Sequence, residues 1–168
     1  MNSMQNVHVD KIVIHMGVGE SGEKLVKAET IMQEISGQKS VRTVAKRTQP
    51  AFSIRKDQPI GCKVCLRGNA AEDFVRTSLE ILEKKLFASQ FDKSGNLAYG
   101  VEEHTDFPGQ NYDPMIGIYG MDVNVVLEKK GIRIARRSIG KKKLPLKQRV
   151  SREEAVKFMQ EEFGVEVQ

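Results

Sequence analysis

Apolar positions in the first half of the chain predict strands separated by one helix. Residues 7–16 are rich in Val and Ile and predict a strand that ends at Gly17-Val18-Gly19. Over residues 22–35 the apolar side chains recur at helical spacing, and Gly37 follows where a helix C-cap is expected. Two more strands are predicted, at residues 39–45 and 61–67.

The second half of the chain also combines apolar residues at helical spacing with apolar residues at strand spacing. Asn69-Ala70-Ala71-Glu72 has the N-cap and N3 chemistry of a helix start. One face of that helix would carry the apolar residues Val75, Leu79, Leu82 and Leu86. Strands are predicted at residues 97–104 and 120–128, and residues 131–135 are expected to extend or pair with the later one.

A last helix is predicted by a second capping box, Ser151-Arg152-Glu153-Glu154, and Gly164 marks its end. The chain has no internal repeat and no linker-like tract of Gly, Ser or Pro. An order of elements that mixes hairpins with helices favours an α+β fold, a two-layer sandwich in which an antiparallel sheet packs on helices. We expect residues 1–168 to form a single domain.

The connection between the second and third strands is unusually long. Residues 46–60 contain Pro50, Pro59 and four basic side chains. Two-residue to five-residue loops are typical of hairpins, so a connection of this length is a candidate for function. We therefore predict a long basic hairpin loop here.

Composition narrows the class of protein. The 168 residues are 39% hydrophobic and 29% charged, enough to close a core, which excludes a disordered tail. No apolar run approaches the length of a membrane span, so no membrane partner is expected. The first six residues lack the features of a secretion signal, and only two cysteines are present. We expect a cytoplasmic protein.

The net charge of +5 hides two strongly basic segments. Residues 36–67 carry eight basic side chains against one acid, and residues 129–149 carry ten and no acid. Residues 68–128 between them hold four basic and eleven acidic side chains. Mixed surfaces normally intersperse the two signs, so such clustering indicates a polyanionic partner, and nucleic acid is the one we expect.

Two motifs suggest other chemistry. Gly17-Val18-Gly19-Glu20-Ser21-Gly22 spells a nucleotide-binding glycine turn, but no acid ends the next strand and a P-loop would need Lys at position 23. A nucleotide-dependent enzyme therefore remains the alternative. Cys62-Lys63-Val64-Cys65 lies in a predicted strand, where side chains three apart point to opposite faces. The three histidines are scattered along the chain, so neither a catalytic triad nor a histidine pair with metal-ligand spacing is indicated. We therefore predict no catalytic residue, no metal and no cofactor.

Several ordered motifs resemble the large-subunit ribosomal protein L5 family, and its archaeal members most. The resemblance rests on residues 12–20, Ile-Val-Ile-His-Met-Gly-Val-Gly-Glu, on residues 35–48, and on residues 59–68, Pro-Ile-Gly-Cys-Lys-Val-Cys-Leu-Arg-Gly. Residues 119–123 and 151–155 follow in family order. The resemblance implies a structural, non-catalytic protein that binds 5S rRNA in the central protuberance of the large ribosomal subunit. A generic RNA-binding module is the second alternative.

The resemblance also implies sites. Those carried over for 5S rRNA are His15, Met16, Gln38, Lys39, Thr43, Cys65 and Arg67. His15 stands where the bacterial pattern has Asn, and Cys65 where it has Thr. A loop close to P-site tRNA would contain Lys46, Arg47, Arg55 and Lys56. Further contacts with large-subunit rRNA are expected from Arg133, Arg136, Arg137, Lys141, Lys142 and Lys143. The remaining partners implied are a head protein of the small subunit, met in an inter-subunit bridge, and other central-protuberance proteins.

Overall fold

Five strands form one antiparallel sheet in the computed structural model, which describes residues 3–168. Met1 and Asn2 lie outside the described residues. They belong to the first six residues, from which no secretion signal is expected. The sheet contains β1 (Val7–Gly17), β2 (Val41–Val44), β3 (Pro59–Leu66), β5 (Leu97–Val101) and β6 (Met121–Lys129). Their order in the sheet is β2-β3-β1-β6-β5. The α+β class with an antiparallel sheet on helices is confirmed.

Alternating burial explains why these segments are strands. In β1 the side chains of Ile12, Ile14 and Met16 are at most 1% exposed, while the residues between them are more open. In β6 the same alternation buries every second residue from Met121 to Leu127. One face of the sheet therefore forms the core, and the residues of opposite parity lie on the other face.

The chain divides into two compact units. One unit comprises residues 13–66 and 99–123. In it α1 (Glu23–Ser36) packs against β3 through a buried stripe, and Gly37 ends the helix in the left-handed conformation, as the sequence predicted. The stripe consists of Leu25, Ala28, Ile31 and Met32.

The other unit comprises the chain up to Ile12 with residues 67–98 and 124–168. It contains α2 (Asn69–Ile81), the short helix α3 (Arg133–Arg136), α4 (Arg152–Phe163) and a two-stranded parallel sheet of β4 (Lys85–Leu86) and β7 (Glu166–Val167). The predicted capping box of α4 is confirmed, since Ser151 and Glu154 cap each other reciprocally. No helix among the described residues is long and apolar enough to cross a membrane.

Three local predictions in this second unit are wrong. Asn69 is the first residue of α2 and not its N-cap, a position taken by Gly68 at φ 63°. The helix ends at Ile81 because Glu83 and Lys84 adopt positive φ, which places Leu86 in β4. The predicted strand at residues 131–135 is instead the start of α3, because Gly131 at φ 96° ends the extended backbone of β6.

The connection between β2 and β3, residues 45–58, is held by its own backbone and is not an open loop. The amide of Ala45 donates to the Gln58 carbonyl at 2.9 Å, and Gln49 exchanges two hydrogen bonds with Ile54 at 2.8 and 3.2 Å. Its outer turn is a 3-10 helix, Pro50–Phe52. We call residues 45–58 the hairpin segment. A structured extension of the β2–β3 hairpin thus stands where the sequence predicted a loop.

Candidate nucleic-acid interface

Three of the residues expected to meet 5S rRNA share the face of the sheet that is turned away from the core. His15 lies between the buried Ile14 and Met16, and Cys65 lies between the buried Val64 and Leu66. In β2, the register pairs Thr43 with Gly61 and Arg42 with Cys62, so Thr43 has the parity of this second face. We call it the open face of the sheet.

Lys63 belongs to the same face and was missed by the sequence analysis. It is exposed and lies two residues before Cys65, opposite Val41 of β2. The alternation of side chains along a strand would have identified it, because a residue two positions from a predicted contact lies on the same face of the strand. Lys63 supplies a cation beside the neutral side chains of Thr43 and Cys65. The same face also carries an acid, since the carboxylate of the exposed Asp122 lies 3.9 Å from His15 Nδ1.

The backbone at Gly61 fixes the spacing of this face. A Cβ atom at Gly61 would lie 2.6 Å from the Met16 carbonyl oxygen and 2.9 Å from Thr43 Oγ1. The first contact is with backbone, which cannot move aside cheaply, so glycine is required by close approach. The absence of a side chain at Gly61 also lets the hydroxyl of Thr43 lie close to the backbone of β3.

Met16 differs from the other predicted contacts. Its side chain is 1% exposed and belongs to the core. Only the backbone of this residue is left to meet a partner. The family resemblance therefore predicts that residue 16 contacts RNA, and the burial of its side chain limits that contact to backbone atoms.

Gln38 and Lys39 lie exposed in the turn between α1 and β2. The amide of Gln38 donates to the Ser36 hydroxyl at 3.3 Å, directly after the left-handed Gly37. The backbone is therefore held while both side chains reach into solvent. The next cation, Arg42, points to the helix side, where it forms a bidentate pair with Glu29 at 2.5 and 3.0 Å. That hydrogen bond lowers the pKa of the Glu29 carboxyl.

The hairpin segment carries four exposed cations and a single acid, Asp57. Within residues 3–168 no ion pair is formed by any of its four basic side chains, Lys46, Arg47, Arg55 and Lys56. Their backbone is tied down instead, for example by the Lys56 amide, which donates to Thr48 Oγ1 at 3.1 Å. These charges are available to a partner.

The second basic segment, residues 129–149, is anchored by acids. Lys129 is 6% exposed, and its ammonium group lies 2.7 Å from the Glu154 carboxylate and 3.3 Å from the Arg149 carbonyl oxygen. Arg136 pairs with Asp10 at 3.3 Å and with Glu128. The other predicted contacts, Arg133, Arg137 and Lys141 to Lys143, are exposed.

Asp10 and Glu128 form the acidic centre of this anchoring. Burial, followed by the negative charge of Asp10, raises the pKa of Glu128 above its usual range, and Arg136 opposes that shift. Asp10 also accepts from Arg67 at 3.1 Å. A phosphate approaching Arg67 or Arg136 would therefore compete with a carboxylate already in place.

The glycine turn offers little to a nucleotide. The amides of Val18 and Gly19 both donate to the Ile60 carbonyl, at 3.1 and 2.8 Å. In a phosphate-binding turn these amides would point at the ligand. Gly17-Val18-Gly19 is thus a junction between β1 and β3, and the nucleotide alternative loses its principal support.

The two cysteines face opposite sides, as predicted from their spacing. Cys62 is buried, and burial raises the pKa of its thiol to about 11, while Cys65 is exposed on the open face. Among residues 3–168 no three His, Cys, Asp or Glu side chains gather in a way that could hold a metal ion.

Comparison with known protein families gives matches along nearly the whole chain. The family described as ribosomal protein L5 matches residues 2–55. The family described as the C-terminus of the ribosomal L5 proteins matches residues 59–158. Residues 56–58, at the end of the hairpin segment, separate the two matches, so of the residues named above as contacts only Lys56 lies outside them.

Curated archaeal relatives match over full length. A large ribosomal subunit protein uL5 of Methanoregula boonei is 66% identical, covering 98% of this chain and 99% of its own. Those of Methanoculleus marisnigri and Methanospirillum hungatei are 64% and 58% identical, covering 99% and 100% of this chain and the whole of their own. The chain therefore belongs to the ribosomal L5 family, a family of structural, non-enzymatic proteins of the large ribosomal subunit, as its motifs predicted.

Proposed function

We propose that this chain binds 5S rRNA through the open face of its sheet and the turn before β2, and helps to attach that RNA in the central protuberance. The observation that carries the proposal is the placement of His15, Thr43 and Cys65 on one rigid face, with Lys63 among them. Double-stranded RNA is recognised mainly through phosphates, 2′-hydroxyls and shape. A sheet face that presents Lys63 beside short polar side chains suits that recognition, with Asp122, 3.9 Å from His15, as an acid on the same face.

The hairpin segment is proposed to reach a second RNA, the P-site tRNA. Its four cations, which form no ion pair among residues 3–168, and its self-supported backbone favour an electrostatic contact at a distance from the sheet. The basic residues 133–143 are proposed to contact other large-subunit rRNA. Contacts with a small-subunit head protein and with neighbouring central-protuberance proteins complete the proposal, without residues assigned to them.

The experiment that tests the division of labour uses single substitutions in the full chain. Lys39→Glu and Gln38→Ala are expected to weaken binding to 5S rRNA, because both alter the turn beside the open face. Lys56→Glu is expected to leave 5S rRNA affinity nearly intact and to weaken binding to tRNA. Lys93→Glu, an exposed cation outside the proposed sites, is the matched control for lost positive charge.

Affinities would be measured by filter binding over a series of salt concentrations. Equal losses of 5S rRNA affinity from Lys39→Glu, Lys56→Glu and Lys93→Glu would contradict the assignment of sites, since net charge alone would then explain them. An unrelated duplex of equal length tests specificity. If it bound as tightly as 5S rRNA, the generic RNA-binding module would be the better description.

A further inference from the structure

Phe52 presents an apolar ring to solvent at the outer turn of the hairpin segment. It is 72% exposed at the outer turn of the hairpin segment, whereas Phe74, Phe91 and Phe107 are at most 6% exposed in the core. Exposed single apolar residues are common, so exposure alone says little. The argument rests on how the ring is held and on what surrounds it.

The turn that carries Phe52 is ordered by short-range hydrogen bonds. Pro50 starts the 3-10 helix, and Ser53, in the left-handed conformation at φ 56°, donates its amide to the Pro50 carbonyl at 2.9 Å. The doubly bonded pair Gln49 and Ile54 closes the turn below it. The ring is therefore presented by a fixed backbone, which lowers the entropy lost when a partner binds.

The surroundings of Phe52 select the partner. The hairpin segment contains four exposed cations without ion pairs among the described residues, and one acid, Asp57. A ligand that suits both features must be anionic and must offer a flat apolar surface. An RNA base on its phosphate backbone has this combination, and aromatic side chains in basic surfaces commonly serve as stacking platforms for bases.

We propose that Phe52 stacks on an unpaired RNA base while the hairpin cations hold the neighbouring phosphates. Bases inside a duplex are covered by their neighbours, so the base must lie in a loop, a bulge or an end. This inference rests on the proposed function and deepens it. It assigns the hairpin segment to single-stranded or looped RNA, and the open face of the sheet to paired RNA.

The test compares a stem-loop RNA that has an unpaired loop with a duplex of equal charge, using the full chain. Phe52→Ala is expected to weaken stem-loop binding by roughly 5- to 150-fold, the range typical for a lost base stack. Phe52→Leu is expected to lose nearly as much, and Phe52→Trp to bind as well as the original chain. Phe87→Ala, which removes another exposed ring, is the matched control and is expected to change nothing.

Two readouts separate stacking from a merely structural role. The slope of log K against log salt is expected to stay constant in all Phe52 variants, because no phosphate contact is lost. The chain has no tryptophan of its own, so the Phe52→Trp variant has a single indole, whose fluorescence should be quenched by the stem-loop and not by the duplex. Circular dichroism confirms that each variant is folded.

The outcomes for the inference and for the proposed function are distinct. Equal stem-loop affinity of Phe52→Ala and the original chain, or full retention by Phe52→Leu, would overturn base stacking. So would an original chain that binds 5S rRNA and not the stem-loop. Failure of the original chain to bind 5S rRNA would instead overturn the proposed function.

Discussion

The hairpin segment and the second basic segment, residues 129–149, look alike in sequence and differ in structure. Both are rich in Lys and Arg and poor in acids. The hairpin segment is held by backbone hydrogen bonds, and its cations remain unpaired within the described residues. The second segment is held through its cations, since Lys129 and Arg136 pair with Glu154, Asp10 and Glu128.

The difference shows that a sequence rich in Lys and Arg does not by itself provide cations that are free to bind RNA. A backbone that supports itself leaves its cations for a partner. The second segment has backbone hydrogen bonds as well, such as that from the Lys142 amide to the Ile134 carbonyl at 3.1 Å. It also uses some of its cations for its own attachment, and only the remainder can meet RNA. Glu128 and Glu154 lie just outside the segment in sequence and Asp10 lies far from it, so a charge count over residues 129–149 reveals none of the three acids.

The largest effect is expected from neutralising the hairpin segment. Each phosphate contact contributes about 0.7 to 0.9 to the slope of log K against log salt, so four lost contacts would lower it by about 3. The variant carries Lys46→Gln, Arg47→Gln, Arg55→Gln and Lys56→Gln. Its tRNA affinity at low salt is expected to fall by two to three orders of magnitude, measured by filter binding, with thermal stability unchanged.

Cations already paired with acids provide the control for that variant. Lys24 and Lys85 form ion pairs with Glu20 and Glu83 at 2.8 and 2.5 Å. Replacing both by Gln is expected to leave the salt slope nearly unchanged. A slope reduced as much per residue as in the hairpin variant would show that ion pairing does not withhold charge from RNA.

The next largest effect concerns the anchor of the second segment. Glu154→Ala removes the partner of the nearly buried Lys129 and half of the capping box of α4. Breaking a fully buried pair costs about 3 to 5 kcal/mol, and because Glu154 is half exposed we expect about 2 to 3 kcal/mol of unfolding free energy. Urea denaturation measures it.

Glu153→Ala is the matched control, one residue earlier in the same helical turn. Its side chain is exposed and has no ion pair among the described residues, so a loss below about 1 kcal/mol is expected, from the helix dipole alone. Equal losses in the two variants would mean that Lys129 does not anchor the segment.

A smaller effect distinguishes free from paired cations inside the second segment. Lys142→Gln, which removes an exposed cation, is expected to lower the salt slope for large-subunit rRNA by about 0.7 to 0.9. Arg136→Gln is expected to lower it by less than about half of that, because Asp10 and Glu128 compete for the guanidinium. The reverse order would show that Arg136 leaves its carboxylates when RNA binds.

The smallest effect is a pH dependence in the first basic stretch. Arg42 lowers the pKa of Glu29 below the ordinary value of 4.5, so the pair stabilises the folded state above that value and the contribution is lost as the pH falls through the folded pKa. Arg42→Ala is expected to lower the free energy of unfolding slightly at pH 7 and to lower it less at about pH 3, because Glu29 takes up a proton as the pH falls. Denaturation curves at both pH values measure it.

Arg47→Ala serves as the control, because this exposed cation of the hairpin segment forms no ion pair among residues 3–168. Its effect on the free energy of unfolding is expected to be close to zero at both pH values. A loss for Arg42→Ala that persists in acid would assign the stabilisation to packing of the side-chain stem.

Much of this protein follows from sequence, and the exceptions have physical reasons. β1, α1 and α4 were predicted because their apolar periods and caps are local. Asn69, Leu86 and residues 131–135 were misassigned because positive-φ residues redirected the backbone against a plausible pattern. Family membership confirms the non-enzymatic role and the location on the cytoplasmic ribosome.

The candidate site divides in the same way. Strand parity was enough to place His15 and Cys65 on one face. Strand parity could not show that Thr43 lies opposite Gly61, because that register depends on which strands become neighbours. For the same reason it could not show that Asp10 pairs with both Arg67 and Arg136. The individual contacts with 5S rRNA, tRNA and other rRNA remain predictions.

The opposite orientations of the two cysteines have a practical consequence for labelling chemistry. The thiolate is the reactive form, and the buried Cys62 keeps its proton because its pKa is about 11. A maleimide dye at neutral pH would therefore attach to Cys65, on the open face of the sheet, without any change of sequence. The chain carries a natural attachment point for an optical reporter, and 5S rRNA bound as proposed would shield it from the reagent.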